Sequence, residues 1–154
     1  MLESIDDAIA SGLPRQGDSA FERAIRNVPF NVQIPRSKLE ALGKSGPSTP
    51  MVTDQRRHIR FRQLKRCLLR YEATYPKVPR HADLFQALII NVSKEGIGLL
   101  HEEQLYPKER FHLRVEGYGL LRLTVARCQK LGPRCYEIGA VGDRPLDVKT
   151  LIGL

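Results

Sequence analysis

The spacing of hydrophobic residues changes near residue 60, from a helical period to a period of two. Before this point, one group of apolar residues lies on one helical face after the potential capping residue Asp18 and before Pro29: Phe21, Ala24, Ile25 and Val28. A second helical segment is expected from Ser37 to Gly43. Helices this short are marginal on their own, so we expect both to depend on packing against other parts of the protein.

From about Arg60 onward, apolar and polar residues alternate, as they do in strands with one buried face. The alternation covers residues 67–73, 111–115, 121–125 and 136–140, and two apolar runs (84–92 and 97–101) add to it. Turn signals such as Glu116–Gly119 and Gly132-Pro133 separate these segments. About six short strands in roughly a hundred residues predict an all-β fold, either a small barrel or a sandwich.

These periods divide the chain into three parts. Residues 1–53 form an N-terminal extension with short helices, and the extension ends in a Gly/Pro/Ser-rich linker that begins at Gly43. Residues 54–145 form the β domain, and residues 146–154 form a short C-terminal tail.

The composition is that of a soluble globular protein. The chain has 154 residues, of which 42% are hydrophobic and 27% are charged. It contains no apolar run of membrane-spanning length and does not begin with a signal-peptide pattern. Cys67, Cys128 and Cys135 are odd in number and lack close-pair spacing, which favours reduced thiols. We therefore expect a cytoplasmic protein without a membrane span.

The net charge of +8 is concentrated in one segment. The first 53 residues hold equal numbers of basic and acidic side chains, so the excess lies in the β domain and tail. Residues 55–71 contain basic side chains and no acidic one. This distribution argues against a general basic surface and indicates one local site for an anion.

The patterns of common enzyme sites are missing from the sequence. Gly43-Lys44-Ser45 resembles the end of a nucleotide-binding P-loop, but Lys38 stands where the first loop glycine belongs. The histidines and cysteines have neither zinc-site spacing nor an arrangement typical of a nucleophile and its base. We therefore expect no catalytic residues, no metal and no cofactor.

The densest basic motif is Arg56-Arg57-His58-Ile59-Arg60, which leads into the first long strand. An arginine side chain is a planar fork that can pair with phosphate through two hydrogen bonds. It can also bind the O6/N7 edge of guanine or stack on a base. The alternative interpretation is a solvated basic edge that deters strand aggregation.

A second motif, Asn91-Val92-Ser93-Lys94-Glu95-Gly96, follows an apolar strand. Asn91 and Ser93 provide compact hydrogen-bonding groups at a spacing of two residues. Gly96 permits a positive φ or a close approach of the backbone. Taken alone, the motif also suits an ordinary turn.

In this order and separation, Arg-x-x-x-Arg and Asn-x-Ser-x-x-Gly resemble the motifs of the PilZ family, over roughly residues 54–145. The resemblance implies a six-stranded antiparallel β-barrel that binds cyclic di-GMP. It also implies that the arginines wrap over the ligand while the second motif supports a guanine. The implied ligand-binding residues are Arg56, Arg57, Arg60, Asn91, Ser93 and Gly96.

The resulting hypothesis is a bacterial cyclic di-GMP receptor or adaptor without enzymatic activity. Ligand binding at the arginines would order the N-terminal extension, and a downstream protein would bind the altered surface. One alternative is a nucleic-acid-binding barrel, but only Phe61 and Tyr71 provide aromatic rings near the basic segment, which makes this partner less favoured. Another alternative is a PilZ-like adaptor that binds protein without any ligand.

Overall fold

The computed structural model describes residues 19–43, 50–51 and 59–153. The helices of this part are α1 (Ser19–Asn27), α2 (Arg36–Gly43) and α3 (Val148–Leu151). The strands are β1 (Pro50–Met51), β2 (Arg60–Tyr71), β3 (Phe85–Val92), β4 (Gly96–His101), β5 (Arg110–Val115), β6 (Gly119–Gly132) and β7 (Cys135–Gly142). None of the described helices combines the length and apolar character needed to cross a membrane.

The six long strands form a closed antiparallel barrel, which confirms the all-β prediction. They are hydrogen-bonded in the order β2-β3-β4-β7-β6-β5, and pairing of β5 with β2 closes the ring. Strand β2 is long enough to have two partners along the same edge. Its first residues, Arg60 and Phe61, pair with β1, while Cys67–Tyr71 pair with β5.

The barrel interior contains the apolar residues that the alternation places on one face of each strand, including Leu69, Ile89 and Leu113. The C-terminal tail adds Leu146 and Leu151 to the same core. It forms the short helix α3, for which Asp147 is the N-cap. The predicted short tail therefore completes the core with a helical turn.

The N-terminal extension packs on the outer face of the barrel. Phe21 of α1 contacts Leu68, which points out of the barrel and is nonetheless completely buried. Arg114 of β5 pairs with Leu68 and is completely buried too, and this burial lowers the pKa of Arg114 to about 10. Parts of the barrel wall are therefore buried on both faces, which the alternation of apolar and polar residues does not reveal.

A polar contact attaches α1 to the barrel. The side-chain amide of Gln86 donates hydrogen bonds of 2.8 and 2.9 Å to the carbonyl oxygens of Ile25 and Val28. Its oxygen accepts a 2.8 Å bond from Nη1 of Arg66, whose guanidinium lies 3.7 Å from the centre of the Phe30 ring. Gln86 thus satisfies the carbonyls at the end of α1, which have no partner within the helix.

The segment after α1 continues across β3, β4 and β7. Its apolar residues form a second buried cluster with barrel residues that point outward; the buried members are Val32, Leu42, Ile90, Leu100 and Cys135. Lys38 of α2 forms a 2.6 Å ion pair with Glu137 of β7. The described part of the extension is therefore docked on the same strands that carry the Asn-x-Ser-x-x-Gly motif.

Candidate ligand site on the outer face of the barrel

Antiparallel pairing of β2 and β3 brings the two sequence motifs together. Arg60 is the first residue of β2, and Asn91 is the penultimate residue of β3. Nη1 of Arg60 donates a 3.0 Å hydrogen bond to Oδ1 of Asn91. The other two arginines predicted to bind the ligand, Arg56 and Arg57, lie outside the described residues.

Ser93 and Gly96 form the turn between β3 and β4. The Ser93 hydroxyl oxygen accepts hydrogen bonds from the backbone N–H groups of Glu95 (3.3 Å) and Gly96 (3.2 Å), and the Ser93 N–H donates to the Gly96 carbonyl at 2.9 Å. Ser93 is only 3% exposed. A side chain at Gly96 would collide with the backbone oxygen of Ala140. These two motif residues therefore shape the turn and allow β4 to lie close to β7.

A β-bulge at the end of β3 directs Asn91 outward. Ile89 points into the core, and strict alternation would place Asn91 on the same inner face. The register shifts between these residues, however, so that Asn91 pairs with Gly98 and the following residue, Val92, enters the core. Ile90 and Asn91 consequently both lie on the outer face, with Ile90 under the docked extension.

A second bulge, on β6, likewise turns a side chain outward, in the same row of paired residues as Asn91. Val125 enters the core and pairs with Ala140, whereas Arg127 pairs with Gly139 after a shift in register. Cys128 then packs against the core, so Arg127 points outward. Bulges of this kind are common beside functional sites because they redirect side chains.

The bulges create a row of in-register residues across five strands. The pairs Arg62–Asn91, Asn91–Gly98, Gly98–Gly139 and Gly139–Arg127 are direct partners. The residues on either side of Gly98 and Gly139 in the chain face the core, so the two glycines face outward. Because paired residues point to the same side of a sheet, the whole row lies on the outer face of the barrel. Arginines therefore occupy its two ends and glycines its centre.

The two glycines allow their neighbours to lie flat on the sheet. A β-carbon added at Gly98 would lie 2.5 Å from Nδ2 of Asn91. One added at Gly139 would lie 2.9 Å from Nε and 3.1 Å from Cγ of Arg127. The amide of Asn91 and the side chain of Arg127 thus cover paired glycines. They form a flat polar surface, which we call the platform.

An open cavity of about 440 Å³ lies beside the centre of the platform. Val141, two residues from Gly139 on the same face of β7, is part of its lining and is 39% exposed. The charged side chains around the cavity are Lys94, Glu95, Asp143 and Arg144. The cavity therefore extends the platform toward the turn of the second motif and adds two cations and two anions to its surroundings.

A separate polar cluster lies around the end of β2. The Tyr71 hydroxyl lies 2.6 Å from both His101 Nε2 and Glu103 Oε1. Complete burial lowers the pKa of His101 to about 3, and burial together with the nearby Glu103 raises the pKa of Tyr71. Neither group changes protonation near neutral pH, so the cluster acts as a fixed hydrogen-bonding network.

The comparisons with known proteins provide no family for this chain. No protein-family model matches it, and no curated protein is similar to it. Within the part of the chain that the structure describes, no group of three or more His, Cys, Asp or Glu side chains is arranged to hold a metal ion. The case for a function therefore depends on the residues of the outer face.

The sequence interpretation missed three residues of the platform: Gly98, Gly139 and Arg127. A signal for the two glycines was present, because glycine within a strand often marks a close approach by another group. Arg127 had no comparable signal, since the alternation of β6 would place it inside the barrel. Only the bulge reveals its position.

Proposed function

We propose that this protein is a bacterial cytoplasmic receptor for cyclic di-GMP that uses a PilZ-like outer face of the barrel. Its ligand carries two negative phosphates and two guanine rings, which suit arginine forks and flat hydrogen-bonding surfaces. The observation that supports this proposal most strongly is the hydrogen bond from Arg60 to Asn91. It joins the two motifs into one candidate site.

In the proposed complex, Arg60 acts as a positioned phosphate- or guanine-binding group. Its bond to Asn91 restricts the guanidinium before ligand arrives, which reduces the entropy lost on binding. Arg56 and Arg57 precede it in the chain and would close over the ligand from the other side. Free arginines close together repel one another, and a dianionic ligand removes that repulsion.

The proposal assigns different roles to the members of the second motif. Asn91 is only 6% exposed and its Oδ1 already accepts from Arg60, so we assign it to holding Arg60 and to donating from its amide nitrogen to a guanine edge. Ser93 is buried and uses its hydroxyl within the turn, so we assign it a positioning role. Gly96 has a positioning role as well, because it permits the close packing of β4 on β7.

The signal would pass through the docked extension. Ile90 and Asn91 are adjacent residues of one bulge. Ile90 packs under Val32 and Leu42, while Asn91 contacts Arg60. A ligand that displaces one of them strains the other, because packed interfaces deform as units. Since residues 19–43 are docked on the barrel, the proposed effect of the ligand is a shift of this segment against the strands beneath it. A downstream protein would then bind the combined surface.

Isothermal titration of the full chain with cyclic di-GMP tests the proposal. We expect saturable binding by the wild type and a clear loss of affinity in Arg60→Ala, while the matched control Arg23→Ala, an exposed arginine of α1, binds normally. Absence of saturable heat at micromolar ligand, or equal binding by Arg60→Ala, would refute it. Salt-sensitive binding to a single-stranded oligonucleotide without binding to the dinucleotide would instead support a nucleic-acid-binding barrel.

A further inference from the structure

We infer that the outer wall beneath α1 is a docking groove for an acidic amphipathic helix of another protein, and that α1 occupies this groove as a removable cover. The groove consists of the apolar side chains under α1 and the arginines beside them: Leu68, Leu84, Leu120, Arg66, Arg70 and Arg114. The inference goes beyond the proposed function, because it concerns another surface of the barrel and does not depend on cyclic di-GMP.

The floor of the groove is a row of paired residues on three strands. Leu68 of β2 pairs with Arg114 of β5, which in turn pairs with Leu120 of β6. Leu68 and Arg114 are completely buried, and Phe21 of α1 packs in the same cluster as Leu68 and Leu120. A groove that takes up the apolar stripe of one helix is a common way in which proteins bind amphipathic helices.

Gln86 gives the groove a defined end. Its amide nitrogen donates to the carbonyl oxygens of Ile25 and Val28 at the end of α1. Every helix ends in carbonyl groups that have no partner within the helix, so this contact recognises a helix terminus and not a particular side chain. The groove can therefore hold another helix in the same place.

The cover can leave without disturbing the core of the barrel. The residues under α1 form a cluster separate from the one inside the closed ring of strands. Helix α1 has only nine residues, and a helix of this length is marginal without packing. Undocking also returns water to the Arg114 guanidinium, whose burial lowers its pKa to about 10. Hydration of this charge offsets part of the cost of exposing the apolar floor.

The groove is bordered by positive charge. On β2, Arg66 and Arg70 are the outward residues before and after Leu68, and Arg114 lies in the floor. The nearest acidic residue along this strand, Glu72, is paired with arginines of β5 and β6. The groove therefore presents an excess of positive charge to any helix that lies in it.

The charges of α1 do not match those of the groove. Its exposed face carries one acidic residue, Glu22, and two basic ones, Arg23 and Arg26. The helix thus places net positive charge on a positive surface, which is unfavourable. A helix with the same apolar stripe and acidic residues in place of Arg23 and Arg26 fits the groove better. This is the chemistry that we assign to the partner.

Fluorescence anisotropy of labelled peptides with the full chain tests the groove. One peptide is residues 19–30 with glutamate in place of Arg23 and Arg26, and the other has the natural sequence. The protein variants Phe21→Ala and Ala24→Asp each weaken the docking of α1 and leave the groove unchanged. We expect the acidic peptide to bind both variants at least about tenfold more tightly than the wild type, because the helix in the same chain competes less.

Three further substitutions, each combined with Phe21→Ala, locate the bound peptide. Leu68→Ala removes part of the floor and should raise the Kd of the acidic peptide at least about tenfold. Arg70→Glu reverses a border charge and should raise that Kd about threefold or more, without weakening the natural-sequence peptide. Lys130→Glu, at an exposed cation on the far part of β6, is the matched control and should have no effect. Circular dichroism confirms that each barrel is folded.

Tighter binding of the acidic peptide to the two cover variants than to the wild type supports the inference. If neither folded variant binds this peptide, or if the natural-sequence peptide binds as tightly, the inference is wrong. If Phe21→Ala forms dimers in light scattering that the acidic peptide does not dissociate, the groove accepts a second copy of this chain and the assigned partner is wrong. The samples contain no cyclic di-GMP, so failure of the proposed function would leave these results unchanged.

Discussion

The Arg60 guanidinium donates a 3.0 Å hydrogen bond to Oδ1 of Asn91, a residue 31 positions later in the chain. One partner belongs to the arginine motif and the other to the Asn-x-Ser-x-x-Gly motif. Their contact depends on the register of β2 against β3, in which Arg62 is the direct partner of Asn91. A change in that register would separate the two motifs even if every residue of both were retained.

Substitution at Asn91 distinguishes a hydrogen-bonding role from mere packing. We expect Asn91→Asp to retain binding of cyclic di-GMP, because a carboxylate also accepts a bond from Arg60. Asn91→Leu has a similar volume but no acceptor, and should raise the Kd roughly tenfold or more, as expected for the loss of a hydrogen bond to a charged group. Titration calorimetry on both variants gives the comparison. Equal affinity of Asn91→Leu and wild type would remove Asn91 from the site.

Gly96 is expected to be intolerant of any side chain. Its β-carbon would collide with the Ala140 backbone oxygen, which cannot move without separating β4 from β7. We expect Gly96→Ala to lower the free energy of unfolding by about 1–3 kcal/mol, the usual cost of overpacking. Gly43→Ala is the control, because a β-carbon there has no neighbour within 4 Å. Urea denaturation measures the free energy of unfolding of both variants. If Gly96→Ala were as stable as the wild type, the close packing of this turn would be contradicted.

His101 should make the protein less stable as the pH falls. Burial lowers its pKa from 6.5 to about 3, so between these values the unfolded chain binds a proton that the folded protein does not. The stabilisation is present above pH 6.5 and decreases as the pH falls through this window. At pH 5 the loss from this residue is about 2 kcal/mol.

Chemical denaturation at pH 7, 6 and 5 tests the contribution of His101. The variant His101→Gln should lose less stability over this range than the wild type, while His81→Gln, at an exposed position, should behave like the wild type. The hydrogen bond from Arg122 lowers the pKa of Glu72, so Glu72 also contributes less stability as the pH falls, but all three proteins contain it and its effect cancels in the comparison. If the free energy of unfolding decreased equally with pH in all three proteins, His101 would not be buried in its neutral form.

Gln86 is expected to control how firmly the extension is attached. Gln86→Ala leaves the carbonyls of Ile25 and Val28 without their donor and Arg66 without its acceptor. A buried polar group left unsatisfied costs about 1–3 kcal/mol. We expect faster amide hydrogen exchange in α1 and little change in the interior strand β4, with the exposed Gln129→Ala as control. Unchanged protection of α1 would show that its apolar contacts alone hold it.

Much of the architecture was predictable because it depends on local patterns. Alternating residues and turn signals predicted the strands, and the barrel confirms the all-β fold. The helical spacing around Phe21 predicted α1, and its apolar residues do form the contact face. The two motifs, which are about 30 residues apart in the chain, indicated Arg60 and Asn91, and the fold brings them together.

Other features depended on the tertiary structure. A strict period of two places both Asn91 and Arg127 inside the barrel, and each is outside because one extra residue in a bulge reverses the phase of the strand. Burial of Leu68 results from the docking of α1, which β2 itself does not encode.

The sequence by itself determined the secondary structure, the all-β class and the two motifs, because each depends on residues close together in the chain. The tertiary structure alone decided which side chains share the outer face. Gly98 and Gly139 acquire their role only when strand register places each under a longer side chain. That register depends on interactions between distant segments, and bulges change it without a local sequence signal.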